Sequence, residues 1–166
     1  KALGELTGEG TVTIRTSIIG RELGQGSGIV EWFLSQEGGR VRGYREARFS
    51  GLTTHELARV IADVLLLHIG LTGLWQVASD PIEKESLLHL INDAYSLETD
   101  IVPDDTVRID RTLDGSAFRA ATGYVAPKWS ASRSFESRSV RVRRSASTRS
   151  GMPCLTPIIC SMNFRF

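Results

Sequence analysis

The sequence predicts an α/β body over residues 1–129 and a separate tail over 130–166. Three observations carry this division. Short runs rich in β-branched residues alternate with runs whose apolar residues recur every three or four positions. The charge changes sign along the chain. Residues 1–129 hold 13 Lys/Arg against 18 Asp/Glu, a balance of −5, whereas 130–166 hold 7 Arg against one acid, Glu136, a balance of +6. The composition shifts at the same place, because 130–150 is dominated by Ser and Arg.

The body is long enough to bury one good core. "KALGEL" (1–6) has the pattern of a helix end, stopped by Gly8 and Gly10. "TVTIRTS" (11–17) alternates in the manner of a strand. The glycine-rich "IIGRELGQGSG" (18–28) predicts a loop. Its glycines do not have the G-x-G-x-x-G spacing of a dinucleotide cradle, and a long loop separates them from the strand before. In "IVEWFLSQ" (29–36), Ile29, Trp32, Phe33 and Gln36 fall at helical spacing, which favours the core for Trp32 and Phe33 over stacking on a base. "GGRVRGYREARFSG" (38–51) predicts two short strands bounded by glycines.

The clearest helix begins at "LTTHELARVIADVLLLH". Thr53 and Glu56 have capping-box spacing, and Leu57, Val60, Ile61, Val64 and Leu65 make one apolar face. "GLWQVAS" (73–79) predicts a short buried strand. "DPIEKESLLHLINDAY" (80–95) predicts a helix capped by Asp80, with Pro81 at its first position and Glu83 in its first turn. "TDIVP" (99–103) and "TVRID" (106–110) predict two short strands, and "LDGSAFRAATGY" (113–124) a helix ending at Gly123.

Several functions are disfavoured by what is present. The longest apolar run, "VIADVLLLHIGL" (60–71), is broken by Asp63 and His68, so no membrane span is expected. No secretory leader opens the chain, and Cys154 and Cys160 make neither a disulfide framework nor a C-x-x-C metal site, so a cytoplasmic location is expected. His55, His68 and His89 are too scattered for a metal set or a nucleophilic triad.

The segments "KALGE", "TVTIRTSIIG", "WFLSQEGGRV", "FSGLTTHELARVIADVL", "GLWQVASDPIEKESLLHLINDAY" and "VRIDRTLDGSAFRAATGYVAPKW", in this order, resemble the C-terminal half of an extended short-chain dehydrogenase/reductase. Within that superfamily the resemblance is greatest to the dTDP-4-dehydrorhamnose reductase-like sugar-nucleotide reductases. It covers nearly all of 1–129 and none of 130–166. It implies a partial Rossmann-type NAD(P)-binding unit with its substrate-binding subdomain.

In that family a Tyr-x-x-x-Lys pair shares one helix face. The lysine lowers the phenol's pKa, so the tyrosine exchanges a proton with the sugar while nicotinamide carries the hydride. Lys1 matches that lysine, both as a catalytic residue and as a holder of the cofactor ribose; its tyrosine would precede the chain. The plain alternative for Lys1 is a surface lysine. The resemblance also implies that this chain alone does not catalyse hydride transfer and is prone to self-association, and it leaves room for a homodimer.

Thr16 and Ser17 match the strand beside the active site and are cofactor-side candidates; equally, they are hydroxyls satisfied at a strand end. Ile18 stands where the family carries an aromatic residue. Thr53 matches a substrate-side threonine, with Leu52 replacing the family's proline, and it is also a plain helix cap. A helix start offers N–H groups to an anion as well. Arg108 and Arg111 are candidates for the nucleotide pyrophosphate, since a guanidinium fork fits phosphate oxygens; otherwise they are solvated, or partners of Asp104 and Asp110.

The family continues past its "P-x-W" into an acidic last helix. Here "APKW" (126–129) is followed by a stretch that departs abruptly, as if out of frame or foreign. Residues 130–150 are expected to be disordered, and the apolar 151–164 to adhere to something. Three functions therefore compete. The first is the substrate-binding half of an NAD(P)-dependent sugar-nucleotide reductase or epimerase. The second is a non-catalytic nucleotide sensor or partner-binding regulator on the same fold. The third is RNA binding through the Ser/Arg tail, the only route to nucleic acid here.

Overall fold

The computed structural model describes residues 10–22, 28–129 and 158–162. Strands and helices alternate, as expected of an α/β chain. β1 (Val12–Thr16) and β6 (Gly73–Gln76) lie parallel, and β10 (Ile158–Met162) runs parallel to the other side of β1. β10 falls inside the apolar stretch of the tail. The expectations for 1–9 and 130–150 lie outside the described residues.

Two short parallel pairs follow. β2 (Ile18–Ile19) pairs with β5 (Leu52–Thr53), and β3 (Arg40–Tyr44) pairs with β8 (Asp100–Asp104). β2 lies within the segment expected to be loop. A third small sheet sets β4 (Ala47–Phe49) between antiparallel β7 (Ile82–Glu83) and parallel β9 (Ile109–Arg111). The two strands expected in 38–51 therefore form, but each pairs with distant chain rather than with the other.

Two apolar cores result. In one, α1 (Ile29–Leu34) and α3 (Lys84–Tyr95) pack Val30, Phe33, Leu87, Leu88 and Ile91 against Val41 and Phe49. In the other, Ile14 of β1 meets Leu57 of α2 (Thr54–Arg59), Val60 and Leu65 of the π-helical turns Val60–Leu65 that continue it, and Phe118 of α4 (Ser116–Thr122). Ile18 and Leu52 belong to the second core, and Ile19 and Phe49 to the first. The β2–β5 crossing is thus the seam between them.

Three expectations are corrected. Asp80 and Pro81 do not start α3. Ile82 and Glu83 first pair with Phe49 and Arg48, and the helix begins at Lys84 with no side-chain cap bond. Burying Ile82, only 8% exposed, is worth roughly 1.5–3 kcal/mol, against about 1 kcal/mol for a cap, so the ladder wins. "GLWQVAS" is strand only over Gly73–Gln76, none of which is buried; the buried residues are Val77 and Ala78 beyond it. β6 pairs only with β1 among the described strands. Finally, Phe33 is fully buried but Trp32 is 38% exposed. The Trp32 ring lies 4.8 Å from the Lys84 ammonium, which Tyr44 flanks at 4.9 Å. Burial lowers the Lys84 pKa.

Across β3 and β8 the exposed arginines face acids. Arg40 binds Asp100 at 2.7 Å, Arg42 binds Asp104 at 3.4 Å, and Arg45 binds Asp105 just beyond the ladder. These pairs set register more than stability, because water screens them.

Candidate functional site

Ligands in open α/β sheets sit beyond the carboxyl ends of the strands. Here those ends are stitched together by backbone hydrogen bonds. The Val77 N–H donates to the Arg15 carbonyl at 2.9 Å, Leu52 N–H to Ser17 O at 2.7 Å, and Ser79 N–H to Ser50 O at 2.9 Å. The Ser79 hydroxyl donates to Gly51 O at 2.6 Å. Gly51 is required at this crossing, because a Cβ there would run into the Phe49 ring and the Ser17 carbonyl.

A shallow cleft, open to solvent and with an enclosed volume of only about 10 Å³, lies over this seam, lined by Gly51, Leu52, Thr53, Glu56, Ser79, Pro127 and Trp129. Thr53 caps α2: its hydroxyl oxygen accepts from Glu56 N–H at 3.2 Å. The Glu56 side chain turns away from the cap. Its Oε1 accepts from the Tyr124 hydroxyl at 3.0 Å and its Oε2 from Arg59 at 3.3 Å, and the side chain is only 8% exposed. Burial first, then the charge of Glu56 and its hydrogen bond, push the Tyr124 phenol well above its ordinary pKa. Tyr124 therefore holds its proton and acts as a fixed donor. Trp129 donates its indole N–H to the Asp80 carbonyl at 2.8 Å and packs against Phe49 with ring centroids 5.9 Å apart.

The structure brings together three of the residues singled out from the sequence. Thr16 and Ser17 are buried at the end of β1, 1% and 6% exposed, with the Thr16 hydroxyl donating to Ser17 O at 3.3 Å. Ser17 is bonded to the strand that carries Thr53. Arg108 and Arg111 are both exposed. Arg111 is opposite Phe49 in the β4–β9 ladder, one ring away from Trp129. Asp104 is held by Thr106 and by Arg42, and Asp110 by Thr112; these bonds lower both carboxyl pKa values. Lys1 lies outside the described residues.

Sequence reasoning missed Glu56 as a site residue, and with it Ser79, Tyr124 and Trp129. Glu56 carried a signal only as a capping-box member. Its partner Tyr124 is 68 positions away, a separation that no local pattern encodes.

The described residues do not by themselves fit a nicotinamide dinucleotide. α1 has six residues and starts after Gly28, where a Cβ would meet a Glu22 carboxylate oxygen at 2.5 Å. A carboxylate there repels a pyrophosphate. Among the described residues no three His, Cys, Asp or Glu side chains gather as a metal group, and no helix is long and apolar enough to cross a membrane.

No family model matches the sequence, and no curated protein does. Solved structures do match by fold. A hypothetical dTDP-4-dehydrorhamnose reductase from Sulfolobus tokodaii superposes with a TM-score of 0.55 at 21% identity, over 74% of this chain and 46% of that one. A GDP-L-fucose synthetase from Naegleria fowleri gives 0.57 at 16% identity, over 75% and 44%. The Bordetella bronchiseptica enzyme WbmG, solved with NAD and UDP, gives 0.51 at 19% identity, over 70% and 38%. This chain thus spans less than half the length of each. The α/β fold first indicated by resemblance is, over about three quarters of the chain, the fold of the dTDP-4-dehydrorhamnose reductase and GDP-L-fucose synthetase structures.

Proposed function

We propose that this chain is the substrate-binding half of an NAD(P)-dependent oxidoreductase acting on a sugar nucleotide, a 4-keto sugar reductase or epimerase. The observation that carries the reading is the position of the cleft. It lies past the ends of parallel β1 and β6, is bordered by Thr53, and belongs to a fold shared with sugar-nucleotide enzymes. In this reading Thr53 faces the sugar, Arg108 and Arg111 take the pyrophosphate, and Lys1, Thr16 and Ser17 serve the cofactor side. Lys1 is also the catalytic lysine. The chain alone does not turn substrate over, since the described residues build no dinucleotide cradle.

Titration calorimetry with UDP-, dTDP- and GDP-sugars tests the binding claim. One of them is expected to saturate the protein at a single site, and failure of all three to bind sinks it. Incubation with NADPH and a 4-keto sugar nucleotide tests the second claim. No turnover above background is expected, and measurable NADPH oxidation refutes it.

A further inference from the structure

We propose that one edge of β1 is a docking site for an extended segment and that β10 is its detachable occupant, a strand the chain seats, releases and exchanges for the same sequence offered from outside. The inference is independent of the sugar-nucleotide reading.

The need for an occupant comes from β1. Thr13, Ile14 and Thr16 are almost wholly removed from water, so this strand runs where an unpaired N–H or C=O is costly. β6 pairs with one edge, from Val12↔Gly73 to Arg15↔Gln76. β10 pairs with the other, from Val12↔Ile158 to Thr16↔Met162. Among the described strands, β1 is therefore the middle of its sheet only because a segment from the far end of the sequence lies beside it. The seat takes a short extended segment parallel to β1 and holds it by main-chain hydrogen bonds, the chemistry of strand addition. The apolar stretch that the sequence expects to adhere to something supplies "IICSM", opened by two β-branched isoleucines. Pro157, which has no N–H to add to a ladder, immediately precedes it.

Two features make the strand detachable. Among the described strands β10 pairs with β1 alone, so one ladder holds it. Residues 130–157 separate it from Trp129, a length that spans on the order of 90 Å when fully extended. β10 can therefore leave without drawing the Trp129 indole off the Asp80 carbonyl. β6, in contrast, is tied to β1 through α2 and its π-helical turns, which pack in the second core.

Residue-resolved hydrogen exchange on the wild-type full chain tests the release. The amides of 158–162 that face β1, and those of β1 that face β10, are expected to exchange together, about tenfold or more faster than the amides of the β1–β6 ladder. Exchange of 158–162 at the rate of a free peptide, or as slowly as the β1–β6 ladder, overturns the proposal. Exchange from outside is tested with the double variant Ile159→Pro, Cys160→Pro. Neighbouring residues aim their N–H groups at opposite edges, so one of the two prolines removes an N–H that faces β1. A fluorescent peptide of residues 156–164 is expected to bind this variant at least tenfold more tightly than wild type, whose tethered strand competes for the seat. A peptide of the same composition in scrambled order is expected to bind neither. Equal binding of the peptide to both proteins, no binding to a natively melting variant, or equal binding of the scrambled peptide overturns the proposal. Should the variant fail to melt cooperatively, the exchange rates of the wild type decide.

Discussion

The Tyr124 hydroxyl donates to Glu56 across 68 residues of sequence and so fastens the segment after α4 to the first turn of α2. The acceptor is nearly buried, so the bond is not readily exchanged for one to water. Tyr124→Phe deletes only that donor. It is expected to cost about 1–3 kcal/mol, read as a lower urea midpoint with an unchanged slope. A midpoint equal to wild type would show that the bond contributes nothing.

The same tyrosine makes stability pH-dependent. Its folded pKa is raised above the ordinary 10.0, chiefly by burial. Between the unfolded and folded pKa values the native state keeps a proton that the unfolded state has lost. The contribution is therefore complete below about pH 10 and is lost as pH rises through the folded value. Wild type is expected to lose stability above pH 10 more steeply than Tyr124→Phe. Parallel alkaline curves contradict this.

Thr53→Ala removes the cap of α2 and should cost about 1 kcal/mol, most of which Thr53→Ser should restore. Urea titration of the three proteins decides. A serine variant as weak as alanine would mean that the methyl group, not the hydroxyl, matters.

Gly51→Ala places a methyl group against the Phe49 ring and the Ser17 carbonyl at the seam of the two cores. A loss of about 1–3 kcal/mol is expected from overpacking. Full stability in a thermal melt would show that the crossing is looser than its contacts indicate.

Asp80 and Ile82 distinguish a helix start from a strand. Asp80→Ala should change stability by less than about 0.5 kcal/mol, because Asp80 does not cap α3. Ile82→Ala should cost about 2–5 kcal/mol, because Ile82 is buried and paired with Phe49. The reverse order of the two midpoints would restore the helix that the sequence pattern predicts.

Where a signal is local, the sequence carried it. The Thr53 cap is a hydroxyl three residues from the N–H it binds. Gly123 ends α4 in the left-handed region, with φ 72°, where a residue lacking Cβ is favoured. Val12–Thr16 alternates and forms a strand. The Asp80–Pro81 signal was local as well, yet it failed, because a two-residue ladder to β4 and the burial of Ile82 outweigh it. The family resemblance singled out Thr16, Ser17 and Thr53, and each lies beside a strand or helix end. It could not disclose Glu56 as a lining acid, since that role depends on where Tyr124 and Trp129 arrive.

By itself, then, the sequence determined the α/β class, the division of charge between body and tail, and the element ends set by caps and glycines. Those depend on energies exchanged within a few residues. Which strands pair, which end of a helix is buried, and which residues gather around the cleft were decided only by the tertiary structure. Each depends on burial and hydrogen bonds between groups tens of residues apart, and these contributions are larger than the local ones they override.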